Sequence, residues 1–305
     1  MKEENTFLND VVVIITTRNR ISELLITIKK CLEIGLRQQQ LFITDDASTD
    51  DTSQTVKHYF PEVRVQVNSN QKGLIHNRNF MMKNSSERFL LSLDDDSNLL
   101  SRSDLEEALQ LLDSKKQYGI FGFMPVEQLA TVNKSDFSNG EVFLSKWYIG
   151  CGHIIKRSTL DKIGLYREEF IFYGEEIDFS VRCFKAGLFV ISKSDLIVHH
   201  RVNYKDRNNN IKGDKSKGEY GILWRSELAM ANSLTHILIN FPSLVIPYYF
   251  SKSLFSFFFN YVIKKKWLSC YRDALSRVWE RQNYIKQERS PLTLKQFREY
   301  MRLEE

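Results

Sequence analysis

Four cysteines, Cys31, Cys151, Cys183 and Cys270, are spread over 305 residues, and no two form a CxxC pair. That spacing excludes a cysteine zinc site and a disulfide framework, and it leaves reduced thiols in or near a core. No GxGxxG follows the first apolar run, which argues against a dinucleotide fold. The opening MKEENTFLND lacks the basic-then-apolar order of a secretory leader, so a cytoplasmic protein is expected. An EF-hand is also absent: counted from Asp94, Leu99 and Leu105 stand where the loop needs Gly and Glu.

What is present is ample apolar material, 42% hydrophobic and 12% aromatic, enough for a packed core. The net charge of +5 is uneven, because residues 201–305 carry 19 Lys and Arg against 10 Asp and Glu. Those cations flank a long apolar stretch instead of lining one helix face, so no nucleic-acid partner is expected.

VVVIIT (11–16) is an unbroken β-branched run, as a strand buried on both faces requires. A helical pattern then runs to Gly35, LFIT (41–44) reads as a second strand, and VRVQV (63–67) as a third. LIHNRNFMMKN follows Gly73 as a helix, RFLLSL is a further strand, and Ser103 with Glu106 predicts a capping box for DLEEALQLLD. This alternation gives an α/β fold with a mainly parallel sheet and helices on both faces. Ligands of such sheets sit beyond the carboxyl ends of the strands. Asp45 and Asp46 close one strand there, and Asp94, Asp95 and Asp96 another.

Three adjacent aspartates repel one another. A hard divalent cation, Mg2+ or Mn2+, would relieve that repulsion. A solvated acidic turn that caps the next helix is the alternative.

Taken in order, VVVIITTRNR, LFITDDASTDDT, NQKGLIHNRN, FLLSLDDDS and YGEEIDFSVRCFKAG resemble the inverting family-2 glycosyltransferases with the GT-A fold, over about residues 10 to 200. The bacterial surface-polysaccharide members, rhamnosyltransferase-like, are the nearest type. The resemblance implies a UDP- or dTDP-sugar donor and a saccharide acceptor, lipid-linked as in related enzymes. It places Thr16, Thr17 and Arg18 in the nucleotide pocket, with Thr16 and Arg18 replacing the usual proline and tyrosine. Asp45 matches the acceptor for a pyrimidine N3–H, with Asp46 as a loop brace, and Arg78 matches a donor-pocket position. Asp94, Asp95 and Asp96 hold donor and metal, Asp96 most directly, joined by His199 or His200. In YGEEIDF the general base falls on Glu176, with Glu175 as the alternative. Trp147, Tyr148, Gly150 and Gly152 lead into the acceptor pocket, at least one of the two aromatics being destined for the core.

Residues 1–222 are thus expected to form the GT-A catalytic domain, about 1–100 binding nucleotide and 101–222 acceptor. Its polar segment 201–221 is expected to act as a mobile loop over the diphosphate. Residues 223–305 form a helical extension. Within it, 237–267 holds one apolar stretch of transmembrane length, interrupted by prolines and Lys252 and followed by KKKW. A helix lying on the inner, cytoplasmic membrane face is the favoured reading; a hairpin packed on protein, or on a second copy in a homodimer, is the alternative. A Mg2+-dependent phosphotransferase or nucleotidyltransferase and a non-catalytic sugar-nucleotide-binding scaffold are the competing functions.

Overall fold

The computed structural model describes residues 6–127, 140–202 and 221–304. The expected loop over the diphosphate falls almost entirely outside them. Two compact units result. The first holds the chain to Tyr166, Arg182–Val202 and the last residues; the second holds Arg167–Val181 and the C-terminal helices. The segment with Glu175 and Glu176, expected within the catalytic domain that ends at residue 222, groups with the C-terminal helices, where its hydrogen-bond partners Asn232 and Asn240 lie.

The first unit is built on β1 (Val11–Thr17), whose residues 11–15 are wholly buried. Full burial on both faces is what the unbroken β-branched run predicts. Strands β2 (Leu41–Asp45) and β4 (Phe89–Asp94) flank it in parallel, and β3 (Arg64–Val67) pairs with β2. Helices α1 (Ile21–Glu33), α2 (Thr52–Tyr59) and α3 (Leu74–Lys83) make the crossovers. The remaining strands are β5 (Ser97–Leu99), β6 (Tyr118–Val126), β7 (Val142–Ser145), β8 (Gly152–Lys156) and β9 (Phe189–His200). The order across the sheet is β3-β2-β1-β4-β8-β6-β9-β5, with β7 also on β9. Strand β8 runs antiparallel between β4 and β6, so the sheet is mixed.

Helix α4 (Arg102–Asp113) starts two residues earlier than the predicted capping box. Ser101 is the cap, its Oγ accepting from the amide of Asp104 at 3.1 Å. Leu105, Ala108, Leu109 and Leu112 must all face the core, and that register leaves Ser103 outside. Helix α5 (Arg157–Ile163) follows β8, and α6 is Glu175–Lys185. All four cysteines are buried and free, as expected.

In the second unit, α7 (Ile222–Asn240) is the buried helix, with Met230, Ala231 and Leu234 at its centre. Around it lie α8 (Ile246–Phe257), a π-helical segment Phe258–Lys264, α9 (Leu268–Glu280), α10 (Gln282–Glu288) and α11 (Leu294–Tyr300). Among the described residues no helix is long and apolar enough to cross a membrane. The expected apolar stretch 237–263 divides accordingly. Ile237, Ile239, Asn240 and Phe241 are core residues of this unit, and from Ser243 onward exposed residues alternate with ones packed inward, such as Phe250, Phe257 and Tyr261.

Candidate active site

Sheet register assembles the acidic cluster. Thr17 pairs with Asp45 on one side of β1, and Thr16 with Asp94 on the other. Both acidic strand ends therefore lie at the carboxyl edge of the sheet, one strand apart. The Asp94–Ser97 turn leads into β5 and not into a helix, and α4 has its own cap in Ser101. The aspartates are thus not a helix cap. Ser97 closes the turn: its Oγ accepts from the Asp94 amide at 2.9 Å and donates to the Cys151 carbonyl at 2.6 Å.

Strand β5 also chooses between the two histidines. Antiparallel pairing sets Ser97 opposite His200 and Asn98 opposite His199. Side chains alternate across a strand, so only one of the pair can face Asp96. His200 does, with Nε2 3.3 Å from Asp96 Oδ1 but not aligned for a hydrogen bond. Asp94, Asp96 and His200 each offer one ligand atom, all within 4.8 Å of one another. His199 is outside this cluster; burial first, then the nearby Arg201, holds its pKa below the usual value.

The cations around the cluster have separate tasks. Arg20 Nη2 donates to Asp96 Oδ2 at 2.6 Å, and its Nε lies 3.3 Å from Asp95 Oδ1. Burial alone would raise the Asp96 pKa, but His200 and Arg20 outweigh it and hold the carboxyl well below the usual range. Asp95 is pushed up, by burial first, with Arg20 opposing and Asp96 adding to the rise. Its carboxylate is turned inward, accepting from Thr17 Oγ1 at 2.9 Å. Its carbonyl accepts from Thr27 Oγ1 at 2.7 Å. Thr17 and Asp95, both expected to touch the donor, hold the two strand ends together.

Arg78, expected to line the donor pocket, is held by Asp94 and Gly150. Its side chain is 2% exposed, and Nη2 spans Asp94 Oδ1 at 2.9 Å and the Gly150 carbonyl at 2.8 Å. It lies beneath the site and ties the 147–152 segment to Asp94. Gly150 contributes through that carbonyl. Gly152, expected near the acceptor, packs on Val198, for a Cβ there would lie 2.7 Å from Val198 Cγ2. Gly152→Ala should therefore lower the stability of this unit by about 1–3 kcal/mol through overpacking. Thermal melts check this, and a melting temperature within about 1 °C of the parent would refute the packing role. Of the two aromatics, Tyr148 is in the core, its hydroxyl 2.7 Å from that of Tyr166, and Trp147 is 39% exposed.

Asp45 is 1% exposed, and its Oδ1 accepts from the Ser48 amide at 2.8 Å. Asp46 is the expected brace: its carboxylate accepts from Asn68 Nδ2 at 3.0 Å and from the amides of Lys72 and Gly73 at 2.8 and 2.9 Å. Thr16 Oγ1 and the Nε and Nη1 of Arg18 are buried polar atoms with no hydrogen-bond partner. Those atoms are in keeping with a site for a polar ligand.

Sequence reasoning missed Arg20. It lies in the turn after β1, and the only signal for it was that a cation is needed beside three aspartates whose strand turns out to neighbour β1. Also missed was Asn232, in the second unit. The turn before α6 carries Ile171, Tyr173 and Gly174 at φ of 59°, 66° and 83°. Positive φ is costly for a β-branched residue. The Asn232 amide faces the carbonyls of Phe170, Phe172 and Tyr173 at 2.7, 2.8 and 2.6 Å and holds that turn. Arg281 fixes Asn232 in turn, donating to its Oδ1 at 2.7 Å and to Glu169 at 2.8 Å. Helix α6 is further anchored at Asp178, whose Oδ1 accepts from Arg167 at 2.5 Å and Asn240 at 2.9 Å. At its start Glu175 is buried and Glu176 half-buried.

Two carboxylates and one imidazole at this spacing fit Mn2+ or Mg2+, the nitrogen ligand favouring Mn2+. A mainly parallel open sheet with an Asp-x-Asp cluster at its carboxyl edge defines the GT-A class of fold. Solved structures agree: the mannosyltransferase PcManGT of Pyrobaculum calidifontis, in complex with GDP-Man and Mn2+, superposes with TM-score 0.57 at 15% identity, covering 89% of this chain and 75% of that one. S. aureus TarS (1–349) in complex with UDP-GlcNAc gives 0.58 at 18%, covering 90% and 83%. The model of glycosyl transferase family 2 matches residues 12–178, more than half of the chain, and the protein belongs to that family. A curated relative, the GalNAc(5)-diNAcBac-PP-undecaprenol beta-1,3-glucosyltransferase of Campylobacter jejuni, is 28% identical over 199 residues, 60% of this chain. The chain spans 62% of that relative's length.

Proposed function

We propose that the protein is a metal-dependent inverting glycosyltransferase. It moves a sugar from a UDP- or dTDP-sugar to a saccharide acceptor carried on a lipid, at the cytoplasmic face of the membrane. The observation that carries this reading is the Asp94, Asp96 and His200 cluster at the carboxyl edge of the sheet in a family-2 chain. The lipid-linked acceptor rests on the named substrate of the Campylobacter relative. Family membership sets aside the phosphotransferase reading.

Asp94, Asp96 and His200 would hold the cation. When bound, it supplies positive charge against that building on the leaving diphosphate. Asp45 accepts the N3–H of the base, which uracil and thymine carry and cytosine lacks, and Thr16 and Arg18 line the same pocket. Arg20 is poised for the diphosphate, since a guanidinium that binds one carboxylate edge also fits phosphate oxygens. Inversion needs a base opposite the leaving group to take the acceptor hydroxyl proton. The burial of Glu175 favours Glu176 for that role, and Trp147 is the exposed aromatic on offer to an acceptor ring.

Glu176→Gln should leave nucleotide binding intact and lower kcat by about 10²- to 10⁴-fold. Calorimetry with UDP, dTDP, GDP and CDP, each with Mn2+ and with EDTA, together with product analysis, tests the whole reading. Metal-dependent binding of UDP or dTDP with release of nucleoside diphosphate on transfer supports it. Binding without turnover on any acceptor would instead support a scaffold.

A further inference from the structure

Nine of the eighteen large hydrophobic side chains exposed among the described residues fall between Leu244 and Trp279. Scattered exposed apolar residues need no explanation, but a contiguous set does. Helix α8 shows how the set arises. Phe250, Leu254 and Phe257 pack inward against the α7 cluster of Met230, Ala231 and Leu234. Tyr248 and Phe255, seven residues apart, lie on the opposite stripe at 64% and 71% exposure, and Leu244, in the turn before the helix, is 76% exposed. Phe258 and Phe259 continue it in the π-helical segment. A helix apolar on both faces has its second face against something other than water.

Charge identifies the occupant. No Asp or Glu occurs between Glu227 and Asp273, whereas Lys252, Lys264, Lys265, Lys266 and Arg272 do, all exposed. Lys264 Nζ lies over the Phe259 ring, 5.0 Å from its centroid, and Lys265 Nζ over the Trp267 ring, 4.5 Å from its centroid, so positive charge stands directly beside the aromatic surface. A second copy docked by a twofold axis would bring these lysines against each other. An acidic peptide would meet the lysines but leave the exposed Phe255, Phe258 and Phe259 without an apolar partner.

We propose that the face formed by Leu244, Tyr248, Phe255, Phe258 and Phe259, edged by Lys252 and Lys264 to Lys266, seats on an anionic lipid bilayer. The rings enter the acyl boundary and the ammonium groups meet lipid phosphates. With no spanning helix among the described residues, α8 lies in the plane of the interface. This narrows the expected membrane contact from 237–267 to the segment after Ser243. It deepens the lipid-linked reading above, and its test needs no acceptor.

The full chain is sedimented with phosphatidylcholine vesicles, with and without phosphatidylglycerol, alongside two variants. One is Phe255→Ser/Phe258→Ser/Phe259→Ser and the other Lys264→Glu/Lys265→Glu/Lys266→Glu. The parent should bind the phosphatidylglycerol vesicles and release at high salt. Each lysine near such a surface raises partition roughly fivefold, so the lysine variant should lose about a hundredfold or more. The phenylalanine variant should lose at least about tenfold. Both should keep the parent's melting temperature and nucleotide binding. A parent that ignores the vesicles, variants that bind as the parent does, or a parent dimer split by the phenylalanine substitutions would overturn the proposal. Nucleotide binding without vesicle binding sinks the surface alone; vesicle binding without nucleotide binding sinks the transferase reading alone.

Discussion

Asp96→Asn should abolish metal-dependent nucleotide binding while leaving the free protein as stable as the parent. The carboxylate is 4% exposed and sits between Arg20 and His200, so its loss removes one favourable pair. It also removes a repulsive neighbour of Asp95, and the two effects oppose. Ligand at a hundred times its dissociation constant stabilises the native state by about 2.7 kcal/mol. For a unit of this size that is roughly 5–10 °C in melting temperature. The parent should show such a shift with UDP or dTDP and Mn2+, and lose it with EDTA. The variant should show none, with transfer reduced at least about 10²- to 10³-fold, the scale for removing one group that stabilises developing charge. A variant that keeps the Mn2+-dependent shift would dismiss Asp96 as a ligand.

Asn232→Ala should separate turnover from donor binding. One side-chain amide holds three carbonyls of a turn that contains Ile171 and Tyr173 in left-handed conformations. Truncation frees those carbonyls and leaves the 5%-exposed Arg281 without its Oδ1 partner. Each buried group left unsatisfied costs about 1–3 kcal/mol, so a loss of about 2–4 kcal/mol in the second unit is expected. The turn leads directly into Glu175 and Glu176. If Glu176 is the base, its displacement by an ångström should lower kcat by about a hundredfold. The donor dissociation constant should not change, because the donor-side residues belong to the other compact unit. A structural loss alone would scale activity with the folded fraction and be recovered by working at lower temperature. Parent-like kcat in the folded variant would remove Asn232 as a positioning residue.

How much of this was legible beforehand differs by element. β1, β2, β3, β4 and α3 are where the apolar runs and Gly73 place them, since each is a local pattern of period or punctuation. Asp46 as a brace was likewise legible, its partners lying within the next 27 residues. The contacts that were not legible share a physical origin. Nothing in NQKGLIHNRN says that α3 turns Arg78 toward Asp94 and the Gly150 carbonyl. At Gly152, a glycine does not say which neighbour needs the space. Here that neighbour is Val198, 46 residues away in the chain.

The sequence by itself determined the α/β class, the acidic strand ends and the family-2 likeness, because these rest on side-chain order within short segments. Only the tertiary structure decided which histidine joins the aspartates, that Thr17 and Asp95 brace each other, and that Arg20 faces the cluster. It also decided which part of the last apolar stretch is core and which is surface. Those outcomes depend on strand register and helix rotation, which are set by pairing between distant segments and leave no mark on either segment alone.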